Sequence, residues 1–162
     1  MLSVPADATG SCSNGLMLPF LVLAGAFLAL WLASLAGVSW LQNWVMPLRI
    51  ALALMFFLTA SAHWGKRRAD LIRMAPPWVP NPGLTITVTG ILEILGAIGL
   101  LIPQTAKVAG ACLALLLVAM FPANVQAARR GLTIGGRKPV ALPIRAVMQL
   151  IFIVAVLVAG WH

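Results

Sequence analysis

Acidic residues are nearly absent from this chain: Asp and Glu together number 3 in 162 residues. Charged residues of both signs make up only 9% of the sequence, whereas apolar residues make up 62%, and the mean hydropathy is +1.02. A soluble domain needs far more charge than this to cover its surface. The scarcity of charge therefore predicts an integral membrane protein, with room for one compact helical unit and none for a separate soluble domain.

Residues that build metal, redox and nucleotide sites are equally scarce. The two cysteines, Cys12 and Cys112, are far apart and form no CxxC pair, and the two histidines, His63 and His162, are also widely separated. The sequence contains no phosphate loop, dinucleotide fingerprint or serine nucleophile motif, and no flavin, haem or iron–sulfur signature. We therefore predict no metal site and no covalently held cofactor, and we interpret Cys112 as a small packing residue inside a span.

The net charge of +8 does not indicate a nucleic-acid-binding protein. The basic residues flank apolar segments and do not form an amphipathic or aromatic-interleaved surface. Positive charge beside spans fixes the orientation of a membrane protein and favours anionic lipid head groups. We predict the lipid bilayer, and no nucleic acid, as a partner.

Long unbroken apolar runs favour transmembrane helices over a β-barrel, whose strands alternate apolar and polar residues. The predicted fold class is an all-α integral membrane protein with five spans, at residues 16–37, 48–64, 84–102, 108–127 and 144–161. Pro122 is expected to loosen or kink the fourth span. The proline-rich segment "LIRMAPPWVPNPG", residues 71–83, is predicted to be a connector at the membrane surface, because its prolines cannot sustain a helix.

Two short loops carry most of the positive charge, and the opposite side of the predicted membrane domain has only Arg49 and Lys107. Since two spans separate these loops, they lie on the same side, and the bias of Lys and Arg makes that side cytoplasmic. This orientation puts the N-terminus inside and the C-terminus outside. The residues of the two loops are Lys66, Arg67, Arg68 and Arg73 after the second span, and Arg129, Arg130, Arg137 and Lys138 after the fourth.

Glu93 lies near the midpoint of the third predicted span, in "TGILEILGAIGLLIP". A charged side chain at that depth costs roughly 2.5–3.5 kcal/mol and usually faces other helices. The nearby small residues Gly90 and Gly96 allow another helix to approach closely, so we predict that Glu93 points inward. Two interpretations stay open: a proton-handling or substrate-contacting acid, and a protonated Glu that only bonds a neighbouring helix.

Three further polar residues, His63, Asn124 and Gln149, are predicted on the cytoplasmic side of their spans, where they could form a substrate-binding cluster with Glu93. Thr59 and Ser61 could join this cluster. Each has a structural alternative. His63 could be an interfacial imidazole, Asn124 could bond a carbonyl freed by a nearby proline, and Gln149 could be an amide that bridges two helices.

The two arginines at span ends, Arg49 and Arg145, are predicted to extend toward the membrane interface. Arg145 could instead turn inward as a counter-charge for Glu93.

Four segments, in order and spacing, resemble the DoxX-like family of membrane proteins. They are "RIALALMFFLTASAHW", "IRMAPPWVPNP", "TGILEILGAIGLLIPQTAKVAG" and "VAMFPANVQAA". The likeness covers about Arg49 to His162 and implies a four-helix transmembrane bundle over residues 45–162. Residues 16–44 are then one additional N-terminal transmembrane helix with its external loop, and residues 1–15 a short tail.

The resemblance also implies a function. The family is similar to the DoxD subunit of a thiosulfate:quinone oxidoreductase, and more distant animal relatives resemble assembly chaperones for membrane receptors. It implies an accessory subunit of a quinone- or thiol-linked redox system in the bacterial inner membrane, with a membrane or redox protein as partner and quinone as a candidate ligand.

In this resemblance, Glu93 falls on the family's core acidic position, His63 on its usual histidine and Asn124 on its "FPAN" motif. The chain lacks a redox cysteine pair, which weakens direct dithiol chemistry. Two alternatives remain, a non-catalytic assembly factor and a small proton-coupled transporter.

Overall fold

The regular structure of the described chain is entirely α-helical. The computed structural model describes residues 14–38, 41, 43–132 and 141–162, and these ranges contain six helices and no strand. The helices are α1 (Asn14–Leu35), α2 (Val45–Trp64), α3 (Arg68–Met74), α4 (Pro82–Leu101), α5 (Ala106–Arg129) and α6 (Leu142–Trp161).

Five of these helices, all except α3, are long and apolar enough to cross a membrane. Their outward-facing side chains are also large and apolar, such as Leu95 on α4, Leu115 on α5 and Leu150 on α6, which are 59%, 69% and 61% exposed. An exterior of this kind suits hydrocarbon and not water. The prediction of an all-helical protein with five helices able to span a membrane is confirmed.

The proline-rich connector is shorter than the sequence suggests. The prediction that no helix forms over residues 71–83 is wrong at both ends, because α3 extends to Met74 and α4 begins at Pro82. The first proline of this segment is Pro76, so nothing interrupts the helical hydrogen bonds before it. At the other end, the Asn81 side chain caps α4 by accepting a hydrogen bond from the backbone N–H of Leu84 at 3.1 Å.

The long helices pack in chain order. α1 packs chiefly against α2, α2 against α4, α4 against α5 and α5 against α6, with a smaller contact between α6 and α2. The apolar core between them includes Leu52, Met55, Phe56, Leu100, Leu113 and Val156. This arrangement leaves polar side chains of α2, α4, α5 and α6 on inward faces.

Both arginines predicted at the membrane interface are buried, so that prediction is wrong. Arg49 is 6% exposed, and its Nε atom donates to the carbonyl of Ala159 at 2.9 Å. That carbonyl lies in the last turn of α6, where the helix itself offers no partner, so the guanidinium satisfies it. Arg145, 3% exposed, turns inward near the start of α6.

Cys112 faces the outer surface of α5, so the interpretation of Cys112 as a packing residue is also wrong. Some predictions fall outside the described residues. These concern most of the N-terminal tail, including Cys12, and Arg137 and Lys138 of the second basic loop.

Candidate functional site

A cavity of about 490 Å³ lies between the helices, in the half of the molecule where α2 ends and α6 begins. Lys66 and Arg67, which follow α2, line its mouth. Most of the lining is apolar. The apolar side chains include Leu18, Met55, Leu58, Leu71, Met74, Leu117, Met120, Met148 and Phe152, and the polar ones deeper inside are Thr59, His63, Glu93, Asn124, Arg145 and Gln149.

Glu93 is buried at the centre of α4 and contacts α2 through a threonine hydroxyl. Its side chain is inward-facing as predicted, at 4% exposure, and the Oγ1 atom of Thr59 donates to its Oε2 atom at 2.7 Å. The same hydroxyl also lies 3.0 Å from the carbonyl of Phe56. A hydroxyl has one proton and two acceptor lone pairs. It can therefore donate to an ionised Glu93, or accept from a protonated Glu93 while donating to Phe56, so the geometry accommodates both states of the acid.

His63 lies one helical turn after Thr59 on α2 and faces the same acid. Its ring is 2% exposed, and its Nδ1 atom is 3.2 Å from the carbonyl of Thr59. Because a carbonyl only accepts, this contact assigns the proton of the neutral ring to Nδ1 and leaves Nε2 as an acceptor. The Nε2 atom is 3.9 Å from Oε1 of Glu93 and has no hydrogen-bond partner in the part of the chain that the structure describes.

Gly90, one turn before Glu93, allows α2 and α4 to approach closely at this point. A Cβ atom placed on Gly90 would lie 2.8 Å from Cβ and 2.9 Å from Cγ of His63. Any larger residue would push the imidazole away from the acid. The small residues noted beside Glu93 in the sequence therefore serve the contact between the helices that carry the acid and the imidazole.

A second polar group comes from α5 and α6. Nη1 of Arg145 donates to Oδ1 of Asn124 at 3.2 Å, and Nδ2 of Asn124 donates to Oε1 of Gln149 at 3.0 Å. Gln149 in turn donates to the backbone carbonyl of Leu117. The role of Gln149 as a helix-bridging amide is confirmed. Asn124, expected to bond a carbonyl freed by Pro122, bonds Gln149 and Arg145 instead.

All four residues predicted for the site, Glu93, His63, Asn124 and Gln149, line this one cavity. Thr59 has only a minor place in the cluster that the sequence predicts, and Arg145 is predicted chiefly at the membrane interface. The sequence around an arginine near the end of a span is the same whether its side chain extends to the membrane interface or turns into the protein. The sequence therefore does not distinguish these two directions. Among the described residues, no group of three His, Cys, Asp or Glu side chains could hold a metal ion.

The sequence also gave no indication of the role of Arg68. Its Nη1 atom donates to the carbonyl of His63 at 2.7 Å, and its Nη2 atom donates to the carbonyl of Gly83 at 3.0 Å and to the hydroxyl of Thr87 at 2.9 Å. Arg68 thus ties the end of α2, where His63 lies, to the start of α4. In the sequence it is one of three consecutive basic residues, which predict orientation and nothing more specific.

The polar lining of the cavity comes from one continuous stretch of the chain. A family model described as a domain of unknown function (DUF8561) matches residues 52–159, about two thirds of the chain. The chain belongs to this family. The DUF8561 match begins in α2 and ends in α6, so it includes every polar residue of the deeper cavity and leaves α1 outside. No curated protein and no solved structure matches the chain.

Proposed function

We propose that this chain is an accessory membrane subunit of a quinone-linked redox system, and that its cavity binds a quinone head group beside Glu93 and His63. One observation carries the proposal: a buried carboxyl group and a buried imidazole face the same largely apolar cavity, and Nε2 of His63 has no hydrogen-bond partner among the described residues. An unpartnered buried acceptor is costly, so a ligand hydroxyl that donates to Nε2, as a hydroxyl of the reduced quinol can, would remove that cost.

The lining of the cavity favours a quinone over a thiol. The cavity walls include thioether, aliphatic and aromatic groups, among them Met55, Met148 and Phe152, which suit a flat apolar ring. Cys112 lies on the outer surface, away from the cavity, so it offers no partner for thiol exchange there.

Quinone chemistry would use Glu93 as a proton carrier. Reduction of a quinone to the quinol takes up two electrons, which a partner redox protein supplies, and two protons. Glu93 supplies one proton to the carbonyl oxygen on its side, and its carboxylate then accepts a hydrogen bond from Thr59. Solvent that reaches the cavity at the exposed residues Lys66 and Arg67 would supply the second proton and restore the first.

The DoxX-like resemblance supports the same role and divides the chain into two parts. In this proposal α2, α4, α5 and α6 form the four-helix membrane domain, and α1 is an N-terminal addition. The family match, which leaves α1 outside, and the packing of α1 chiefly against α2 support this division. The proposed location is the bacterial inner membrane, with the basic end of the molecule in the cytoplasm.

Titration of the purified protein with short-chain ubiquinone and menaquinone analogues tests the proposal. We expect binding to the wild type that Glu93→Gln weakens by up to about 10-fold, because a hydrogen bond from the neutral acid to the quinone carbonyl contributes about 0.5–1.5 kcal/mol. The matched control is Asp70→Asn, which makes the same acid-to-amide change on α3, outside the cavity lining, and should leave the affinity unchanged. Absence of binding, or equal binding by Glu93→Gln, would refute the proposal.

An assembly factor remains the alternative function, in which Glu93 and small residues of α4 dock a partner helix. Gly90 and Gly96 already pack against His63 and Leu113 of the chain's own helices. This packing leaves less of the small-residue side of α4 for a partner helix, which disfavours the assembly-factor function. Co-purification of a membrane partner that Glu93→Leu releases would support it. If the chain is instead a proton-coupled transporter, the third candidate function, its flux in liposomes should depend on Glu93.

A further inference from the structure

Three consecutive basic residues follow α2, and the structure gives them different roles. Arg68 uses its guanidinium for three hydrogen bonds that tie the end of α2 to the start of α4. Lys66 and Arg67 are exposed and line the mouth of the cavity, and the side chain of neither makes a hydrogen bond or an ion pair with any described residue. Two adjacent positive charges at the mouth are therefore not neutralised by the described chain, and a concave surface with charge of one sign attracts the opposite charge.

Exposed tryptophans place this mouth at the level of the lipid head groups. Trp64 is the last residue of α2, and Trp78 lies in the connector between α3 and α4; both rings are exposed. Tryptophan rings concentrate where the hydrocarbon of a bilayer meets its head groups. Lys66 follows Trp64 by two residues, so the two unpaired cations lie near the depth of the lipid phosphates of one leaflet.

Apolar side chains from three helices adjoin the two cations. Ala62 lies one helical turn before Lys66 on α2, and Leu71 lies one turn after Arg67, whose carbonyl accepts from its backbone N–H at 3.0 Å. Leu18 of α1 lines the same cavity and is also partly exposed at the outer surface. A free phosphate would leave these apolar groups uncovered, whereas a phosphate that carries a hydrocarbon chain would cover them.

We propose that the mouth of the cavity binds an anionic phospholipid, with its phosphate between Lys66 and Arg67 and one acyl chain against Leu18, Ala62 and Leu71. Basic pockets between membrane helices are known sites for anionic lipid head groups. The site does not require the proposed function, because it uses none of the deeper polar residues of the cavity. A phosphate held there lies at the opening through which solvent reaches the cavity.

Native mass spectrometry of the full chain, released from detergent micelles, tests the charge recognition. The probes are palmitoyl-oleoyl phosphatidylglycerol, which is anionic, and the corresponding phosphatidylcholine, which has no net charge. We expect the wild type to bind one phosphatidylglycerol molecule about 10-fold more tightly than phosphatidylcholine, and Lys66→Gln combined with Arg67→Gln to abolish this preference. The matched control is Arg129→Gln combined with Arg130→Gln, which removes two exposed charges at the end of α5 outside the cavity lining and should keep the preference.

Two neighbouring residues of α3 test the position of the acyl chain. Leu71 and Ile72 are both half-buried, and only Leu71 lines the cavity. We expect Leu71→Gln to weaken phosphatidylglycerol binding about 3-fold or more, because the chain loses an apolar contact, and Ile72→Gln to leave the affinity unchanged. Inorganic phosphate should not displace the lipid.

The possible results separate this site from its alternatives. Equal losses in the two double variants would show a general attraction to the basic end and overturn the site. Equal binding of the two lipids by the wild type, or displacement of the lipid by inorganic phosphate, would overturn its assignment to an anionic phospholipid. A chain that binds phosphatidylglycerol as expected and binds no quinone analogue would support this site and refute the proposed function alone.

Discussion

A single hydroxyl group links the buried acid of the cavity to the helix that faces it. Thr59 is the only described residue that bonds Glu93 with its side chain, and its hydroxyl also reaches the carbonyl three residues earlier. Thr89, on α4, makes the same bond to the carbonyl three residues earlier, at the same distance of 3.0 Å, but has no acid partner in the described part of the chain. These two threonines therefore separate the contribution of the acid contact from that of the local bond.

Replacement of each threonine by the isosteric valine measures that contribution. We expect Thr59→Val to lower the free energy of unfolding by about 1 kcal/mol, because it leaves Oε2 of Glu93 without its donor inside the protein. Thr89→Val should cause a clearly smaller loss. Unfolding by SDS in mixed micelles, followed by circular dichroism, gives both values, and equal losses would show that the contact with Glu93 contributes nothing.

Individual polar residues were predictable from the sequence to different degrees. Glu93 was identified as an inward-facing residue because a lone acid in an apolar, glycine-spaced segment has few stable alternatives. Arg145 was not, because a long flexible side chain near a span end can extend to the interface or turn inward, and only the amide of Asn124 on another helix decides between them. Hydropathy finds the depth of a residue, and tertiary partners decide its direction.

Pairs of helices meet where glycines remove the side chains between them. Gly110 on α5 faces α6 so closely that an added Cβ would lie 2.6 Å from the carbonyl of Val156 and 3.2 Å from the Cα atom of Gly160. Both atoms belong to the backbone, so neither can rotate away. This crossing holds together the two helices that carry Asn124 and Arg145.

Gly110→Ala is expected to destabilise the protein by about 1–3 kcal/mol, since the added methyl group must separate α5 from α6. Gly25→Ala on α1 is the control, because a Cβ atom there meets nothing within 4 Å. SDS unfolding of the two variants should differ clearly in midpoint. If the Gly110→Ala protein is as stable as the control, α5 and α6 can move apart without a loss of stability, and the prediction is wrong.

The boundaries of the helices were predictable to within a few residues, whereas the short helix α3 was not. The spans follow from apolar runs that end at charged or proline-rich segments, and lipid imposes that pattern on any sequence. α3 has only 7 residues and precedes the prolines that suggested an irregular connector. Its position is set by tertiary contacts, among them the bonds of Arg68 to the ends of α2 and α4, which leave no periodic pattern in the sequence.

Most of the described basic residues lie at one end of the molecule, and this sets its expected orientation in the membrane. Lys66 follows α2 at that end, and Gln104 lies in the turn between α4 and α5 at the other end; both are exposed. Single cysteines at these positions, in a chain with Cys12→Ser and Cys112→Ala, report the orientation. In sealed right-side-out vesicles, an impermeant maleimide should label Gln104→Cys at once and Lys66→Cys only after permeabilisation. The reverse order would invert the proposed topology.

The confinement of the cavity to one half of the helices has an energetic consequence. Its mouth lies at the basic end, and the opposite half of the core is filled by side chains such as Leu100, Leu113 and Val156. Protons taken up or released with a ligand would enter and leave on the same face, so their movement would carry no charge across the membrane. We expect quinone affinity in vesicles to be the same with and without an imposed potassium diffusion potential; an affinity that follows the voltage would require a proton route across the core.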